Sequence, residues 1–309
     1  MATPGDAFPE RSHARRVLVT GAGGYIGRRL CERLVASGAD VHATVRSTKP
    51  DAPAHCWKVE LSDFGATSRL LSNVRPDIVI HLAGHVAGAP DLALVRPTLE
   101  SNVVATVNLL VAARESSVSR FVTTGSMVEP ADPALAGSPY ALSKWISTAY
   151  AQMFTTLYDL PTICMRVFMV YGPGQRDSRK LIPHVIESFL RDEPPRVASG
   201  AWEVDWVFID DVVDAYIAAL DAPAAAGETI DIGSGELVTI RGVIELLREL
   251  TGSSAEPQFG ALQDRPFELP QRADVATADR LLSWRPRVPL DEGLERTVEW
   301  HRARLALAR

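Results

Sequence analysis

The sequence predicts an α/β protein, a doubly wound parallel sheet followed by a smaller C-terminal lobe. Three observations carry this reading. Short apolar strands alternate with longer helical patterns through the first half of the chain. A glycine loop, Gly21 to Gly27, stands between the first strand and the first helix. The alternation loosens after Gly172, where Gly172-Pro173-Gly174 marks a break. Strands separated by helices pair in parallel through right-handed crossovers.

The elements follow in order. Arg16-Val17-Leu18-Val19-Thr20 is a buried strand. A helix over 28–37 places Leu30, Leu34 and Val35 on one face, and Gly38 caps it. Val41 to Val45 is the second strand, and 57–61 a weak third. A helix suits 64–71, a strand 77–82, and a Val, Leu and Ala-rich helix 102–115. Arg120 to Thr124 is a strand, 139–157 a helix and 162–170 a strand. Beyond the break, 181–191 is helical, 204–209 a strand, and Asp210 is read as the N-cap of a helix over 211–220. Residues 256–273 form a proline-dotted loop, and 290–307 is a last amphipathic helix. The expected domains are 15–172, with 204–235 returning to it, and a substrate lobe of 173–203 and 236–309. Residues 1–14 are read as a disordered tail.

The chain has 309 residues, 46 % of them apolar and 23 % charged, the balance of a folded soluble protein. Its net charge of −6 argues against a surface that grips nucleic acid or anionic lipid. Cys31, Cys56 and Cys164 are scattered and show no zinc spacing, so no metal is expected and a reducing cytoplasm fits. No apolar run is long enough to span a membrane.

Residues 20–27 read Thr-Gly-Ala-Gly-Gly-Tyr-Ile-Gly. Gly21 permits a tight turn, Gly24 lets backbone approach a pyrophosphate, and Gly27 lets helix and strand pack closely. The helix N-terminus favours the negative charge. With a strand before and a helix after, this is a Rossmann-type dinucleotide site. At the end of the second strand, Arg46 stands where an NAD site offers an acid to the ribose. With Ser47 and Lys49 it suits a 2′-phosphate, which favours NADP over NAD; a solvated arginine is the plainer alternative. Asp63 suits the adenine amino group, a helix N-cap, or both.

Tyr140 and Lys144 lie four apart on a helix and so share a face. An ammonium near a phenol favours the phenolate, which moves a proton while hydride passes to or from a nicotinamide. Ser126, at the carboxyl end of its strand, suits the role of holding the reacting oxygen, with Thr124 a second candidate.

These residues resemble the extended branch of the short-chain dehydrogenase/reductase superfamily, the nucleotide-sugar epimerases, dehydratases and reductases. TGAGGYIG (20–27), HLAG (81–84), NVVAT (102–106), SPYALSK (138–144), RVFMVYGPG (166–174) and WVFIDDVVDA (206–215) are similar to its motifs, in order. The resemblance implies catalytic Ser126, Tyr140 and Lys144, with Asn102 supporting a structural water near the lysine. It implies that Gly21, Gly23, Gly24, Tyr25, Ile26, Gly27, Leu61, Leu82, Ala83 and Gly84 line the cofactor. It also implies a homodimer paired through the helices at 102–115 and 139–157.

The reaction is read from departures. Dehydratases of this family carry an Asp-Glu pair after the catalytic hydroxyl residue, and here Met127 and Val128 follow. Glu129 stands one step later than the decarboxylase glutamate, and Glu129-Pro130-Ala131 replaces the usual Val-Tyr-Gly. Arg46 tilts the expectation to a 4-ketoreductase of a 4-keto-6-deoxy nucleotide sugar. The alternative is a nucleotide-sugar 4-epimerase with retained NAD. A non-catalytic NADP sensor would lack the Tyr-Lys pair.

Substrate candidates are His85, Ser126, Met127, Met169, Arg176, Lys180 and Arg265, the cations for a diphosphate. Surface charge is the plainer alternative for each cation, Arg179 included. Asp274 reads equally as a nucleotide contact or a helix cap. Met169 replaces a family asparagine and Val204 an arginine, and Met127, Phe168 and Met169 suit a deoxygenated sugar. His81 and His85 are four apart, but a strand end need not bring them to one face.

Overall fold

The structure is a computed structural model that describes residues 14–45, 54–264 and 270–307. The first half builds β1 (Arg16–Thr20), α1 (Tyr25–Ala36), β2 (Asp40–Val45), β3 (His55–Lys58), α2 (Phe64–Val74) and β4 (Ile78–His81). A short α3 (Val95–Thr98) runs into a π-helical turn, Leu99–Val104, and then into α4 (Ala105–Glu115). There follow β5 (Arg120–Ser126), α5 (Pro139–Tyr158), β6 (Thr162–Val167), β7 (Met169–Tyr171), α6 (Leu181–Leu190), β8 (Glu203–Phe208) and α7 (Ile209–Ala219). The chain ends through β9 (Thr229–Ile232), β10 (Leu237–Thr239), α8 (Ile240–Thr251), α9 (Val275–Leu282) and α10 (Leu290–Leu307).

Seven strands form one sheet in the order β3-β2-β1-β4-β5-β6-β9. Each of the pairs β1–β2, β1–β4, β2–β3 and β4–β5 is parallel. The order reverses direction at β1, beside β4, which opens the crevice where such sheets bind ligands. Leu18 and Val79 from the strands meet Leu70 and Leu71 of α2 and Leu109 and Leu110 of α4 in a dry core. That apolar layer fixes the sheet, and with it the carboxyl ends of β1, β4 and β5.

Two compact units result. The first takes the chain to Arg166 and adds Val213–Ile230; the second holds Val167–Val212 and Asp231 onward. The segment 204–235 is therefore shared between them. β8 lies in a separate three-stranded sheet, β10-β8-β7.

Several elements differ from the sequence reading. The apolar run 162–170 is two strands, because β6 joins the large sheet while β7 pairs with β8. Apart from Thr162 and Arg166 the run is apolar, and neither residue falls at Phe168, where the chain changes sheets, so periodicity carries no sign of the switch. The helix expected from Asn102 begins earlier, at Val95, and passes through the π turn. Asp210 is not an N-cap: α7 starts at Ile209, and Asp210 and Asp211 sit in its first turn, where carboxylates complement the helix dipole. β9, β10 and α8 have no counterpart in the sequence reading, and of α9 only its cap, Asp274, does. α8 carries readable signals, Thr239 as N-cap to the Gly242 N–H and left-handed Gly252 as C-cap.

Candidate active site

The glycine loop is built as its spacing requires. Gly21 has φ +70°, and a Cβ there would lie 2.6 Å from the Ala83 nitrogen. A Cβ on Gly27 would lie 2.3 Å from the Gly21 oxygen. Gly24 is the extended N-cap of α1, and its N–H donates to the Gly21 carbonyl at 2.9 Å. Arg28 binds the Gly23 carbonyl at 3.2 Å, and Tyr25 and Ile26 open the helix. Side chains are thus excluded where a pyrophosphate would meet the start of α1. A groove of about 310 Å³ runs beside the loop, bordered by Gly21, Thr44, Val45, Leu61, Ser62 and Ala83. Its glycine cradle and its mixed lining, with Val45, Val59 and Leu61 beside Glu60, Ser62 and Glu100, fit a dinucleotide. Asn108 Nδ2 fixes the Leu61 and Ser62 carbonyls at 3.0 Å each. Asp63 is the N-cap of α2, its Oδ1 accepting the Ala66 N–H at 2.9 Å.

The groove wall hangs on Asn102, buried within the π turn. Its Oδ1 accepts the His85 N–H at 2.6 Å. Its Nδ2 donates to the His85 carbonyl at 3.1 Å and to Ser143 Oγ at 2.9 Å. The side-chain amide is therefore used to clamp His85 onto α5. Gly84 fits between: a Cβ there would lie 3.2 Å from Asn102 Oδ1 and 3.8 Å from Lys144 Nζ. Leu82 N–H and Ala83 N–H are held by the carbonyl and hydroxyl of Thr20, each at 3.2 Å.

His81 is a bracket beneath this wall. Its Nδ1 meets Thr20 Oγ1 at 2.7 Å and its Nε2 meets Thr106 Oγ1 at 3.0 Å. Burial pushes the imidazole down to about 3, so it stays neutral. Both nitrogens are used, which leaves none for a metal shared with His85. Asp40, His42 and His55 also gather at the β2–β3 edge. There the two imidazoles stack with centroids 4.9 Å apart, and the Nε2 atoms of His42 and His55 lie 3.3 and 3.9 Å from the same Asp40 oxygen. Trp57 Nε1 donates to His42 Nδ1 at 3.0 Å, whereas a metal-bound imidazole turns its second nitrogen to an acceptor. That geometry does not make a metal centre.

The reacting groups converge where α5 meets the end of β5. Ser138 caps α5 by accepting the Ala141 N–H at 3.1 Å, and Pro139 opens the helix. Tyr140 shares a hydrogen bond with the Ser126 side chain. Lys144 is buried and donates to the Thr124 carbonyl at 2.7 Å. Thr124 Oγ1 binds the His81 carbonyl at 2.8 Å and Tyr216 Oη at 2.7 Å. Met127 is buried beside Ser126.

The electrostatics correct one expectation. The phenol of Tyr140 is pushed up, not down: burial dominates, the Ser126 hydrogen bond opposes it, and the charge of Glu129 adds to it. Lys144 lies 5.9 Å from the Tyr140 ring centroid and spends a proton on Thr124. Burial pulls the Lys144 ammonium down, against the charges of Glu129 and Cys164.

Glu129, which the sequence offered as a misplaced decarboxylase acid, is buried and fully engaged. Its Oε1 accepts the Ser126 N–H at 2.7 Å and its Oε2 the Thr148 hydroxyl at 3.0 Å. Burial pushes its carboxyl up, against those bonds and the charges of Arg166 and Lys144. Thr148 was missed; its signal is its place two turns beyond Tyr140 on the same helix face.

Ser126, Tyr140, Lys144, Asn102 and His85 thus come together in the first unit. Met169, Arg176 and Lys180 belong to the second unit, Met169 in β7 and Lys180 as the N-cap of α6. Arg179 is paired with Asp177 at 2.8 Å, which makes it a local ion pair. Asp274 is the N-cap of α9. Arg46, with Ser47 and Lys49, and Arg265 lie outside the described residues. No described helix is long and apolar enough to cross a membrane.

Comparison with known proteins agrees with this fold. The sequence pattern of the NAD dependent epimerase/dehydratase family matches residues 17–233. A UDP-glucose 4-epimerase of Mycolicibacterium smegmatis is 31 % identical, over 93 % of this chain and 98 % of its own length. A mouse dTDP-D-glucose 4,6-dehydratase is 28 % identical, over 95 % of this chain and 90 % of its own. Among solved structures, a UDP-glucose 4-epimerase of Thermotoga maritima with UDP-glucose superposes with a TM-score of 0.85. It is 27 % identical and covers 94 % of this chain and 99 % of that one. A UDP-glucuronic acid 4-epimerase of Bacillus cereus, in complex with UDP-glucuronic acid and NAD, has a TM-score of 0.82. It is 26 % identical, over 93 % of this chain and 99 % of that one.

Proposed function

Because the chain belongs to the NAD dependent epimerase/dehydratase family, we propose that it is a 4-epimerase of a nucleotide-diphosphate sugar that retains NAD through its cycle. The observation that carries this is how the acid after Ser126 is used. Elimination of water needs a second proton mover beside Tyr140. Met127 and Val128 cannot serve, and both carboxylate oxygens of Glu129 are taken by Ser126 and Thr148. What is left beside Ser126 is a single phenol, which suffices for a reaction that takes one proton from a hydroxyl oxygen and returns it to the same oxygen.

The 4-ketoreductase reading rested on Arg46 and NADP. The relatives named above are epimerases and a dehydratase, and one solved neighbour holds NAD. These favour the epimerase and NAD.

In the proposed mechanism the Ser126 hydroxyl holds the sugar's 4-oxygen and Tyr140 takes its proton. The Ser126 hydrogen bond favours the phenolate against burial. Lys144 pins the Thr124 carbonyl, and so the strand end that carries Ser126. Gly21, Gly24, Gly27 and the start of α1 would hold the cofactor's pyrophosphate, with Leu61 and Ala83 bordering the same groove. NAD, when bound, would supply a reversible hydride acceptor for C4, and inversion requires that the hydride return to the opposite face of that carbon. Tyr140 then returns the proton to the 4-oxygen, so nothing is consumed.

The test is to incubate the purified protein, without added cofactor, with UDP-glucose, UDP-glucuronate and their C4 epimers. Interconversion at C4 with no lasting gain of reduced nicotinamide is the expected result. Stoichiometric consumption of NADPH with a 4-keto-6-deoxy nucleotide sugar would overturn it in favour of the reductase. Pairing of two copies through α4 and α5 is also proposed. Tyr150 and Leu157 of α5 and Leu99 of the π turn before α4 are exposed, and light scattering should give twice the chain mass.

A further inference from the structure

Three side chains at one-turn spacing on α5 hold the end of β5. Tyr140 bonds the Ser126 side chain, and Lys144 the Thr124 carbonyl at 2.7 Å. Thr148 reaches Ser126 only through Glu129. The Thr148 hydroxyl donates to Oε2 at 3.0 Å, and Oε1 accepts the Ser126 N–H at 2.7 Å. A turn closed by the Glu129 N–H on the Ser126 carbonyl, at 3.0 Å, folds the carboxylate back beneath the strand. Gly125 makes room for it. A Cβ at that residue would lie 2.5 Å from Glu129 Oε1 and 3.0 Å from Cys164 Sγ. A carboxylate buried in this way is costly unless hydrogen-bonded and near opposite charge. Here it has both.

We propose that Glu129 is a positioning residue: through the Ser126 amide it sets the hydroxyl that Tyr140 meets, and it places its charge in the field the phenol feels. The proposal rests on the reading of Ser126 and Tyr140 as the reacting pair. The groups that face the bridge are Lys144 from α5 and Cys164 and Arg166 from β6; Tyr216 of α7 faces the phenol. Burial pushes the Glu129 carboxyl up, the charges of Arg166 and Lys144 favour its ionised form, and in that form its charge opposes formation of the phenolate. Thr148 adds a second contact, Cys164 Sγ at 3.1 Å, which ties the bridge to β6.

The experiment is an ultraviolet titration of the Tyr140 phenol in the holoenzyme, taken as the difference from Tyr140→Phe, with and without Glu129→Gln. The amide keeps the size and an acceptor for Ser126 but removes the charge. The expected result is a midpoint lower by about half a pH unit or more in Glu129→Gln. Thr148→Val should lower kcat about tenfold with KM changed less than about twofold. Superimposable titrations, or native kcat in Thr148→Val, would overturn the proposal. If Glu129→Gln fails to fold, Thr148→Val decides. The titration needs no sugar. If no nucleotide sugar turns over, the epimerase reading fails while Glu129 is still judged.

Discussion

Lys144 donates its proton to the carbonyl of Thr124, not to the phenol of Tyr140 one turn away. The two side chains act on the same strand end at different atoms. Lys144 fixes the backbone and Tyr140 meets the Ser126 hydroxyl. Removing either one therefore damages the site differently.

Tyr140→Phe deletes the proton carrier and keeps the ring. We expect turnover to fall by about 10²–10⁴-fold. NAD affinity, measured by quenching of tryptophan fluorescence, should remain within about threefold of native.

Gly27→Ala should have the opposite profile. The added Cβ would lie 2.3 Å from a backbone oxygen with nothing flexible to yield, so α1 must move away from β1. Loss of bound NAD after gel filtration, together with a lower melting temperature, is the expected outcome. Retention of stoichiometric NAD would contradict this account of the loop.

Stability should fall on mild acidification because His81 is buried neutral. Its folded value of about 3 lies below the unfolded one. The contribution is therefore full above the unfolded value and is lost as pH falls from about 6.5 toward 3. Each pH unit in that window costs about 1.4 kcal/mol for one such group. His301, held down to about 4 by burial and Arg304, adds a second proton. Urea midpoints at successive pH values test this, and His81→Gln should flatten the slope.

In the second unit, Asp205 ties three backbone N–H groups together. Its carboxylate accepts Ser234 N–H at 2.6 Å, Gly235 N–H at 2.9 Å and Ala273 N–H at 3.0 Å. Asp205→Ala leaves those buried donors without an acceptor and should cost about 3 kcal/mol or more. Asp205→Asn should cost less in the same denaturation series, because one oxygen remains.

Thiol labelling offers an independent check of packing. Burial pushes Cys31 and Cys164 up to about 12, while Cys56 is half-buried. Native protein at pH 8 should react quickly at Cys56 alone, and all three thiols should react in denaturant.

The elements that position the dinucleotide were legible because their causes are local. Gly21, Gly24 and Gly27 answer to steric demands set by one strand and one helix, and the spacing of Tyr140 and Lys144 is a property of a single helix. What escaped the sequence depends on partners far along the chain. The stretch through Phe168 carries no mark of the residue at which it changes sheets. Glu129 looked like a misplaced acid because nothing in its neighbourhood names Thr148 as its partner. The bonds of the Asn102 amide to the His85 backbone and to Ser143 Oγ depend on the π turn, which no local signal announces. A lowered phenol follows from the spacing of Tyr140 and Lys144 alone, whereas burial, which spacing does not report, pushes the phenol up.

The π turn at Leu99–Val104 has a consequence for how this chain tolerates length change. Such a turn accommodates one residue more than the α-helical count, so α4 enters its layer with a rotational phase that a regular helix would not give it. Deleting a single residue there would restore ideal helical hydrogen bonding, yet swing Asn102 off His85 or rotate the Leu109–Leu110 face out of the core. The irregularity thus acts as a vernier between two surfaces that must both be met. Length variants in this segment should be viable in steps of whole turns rather than one residue at a time.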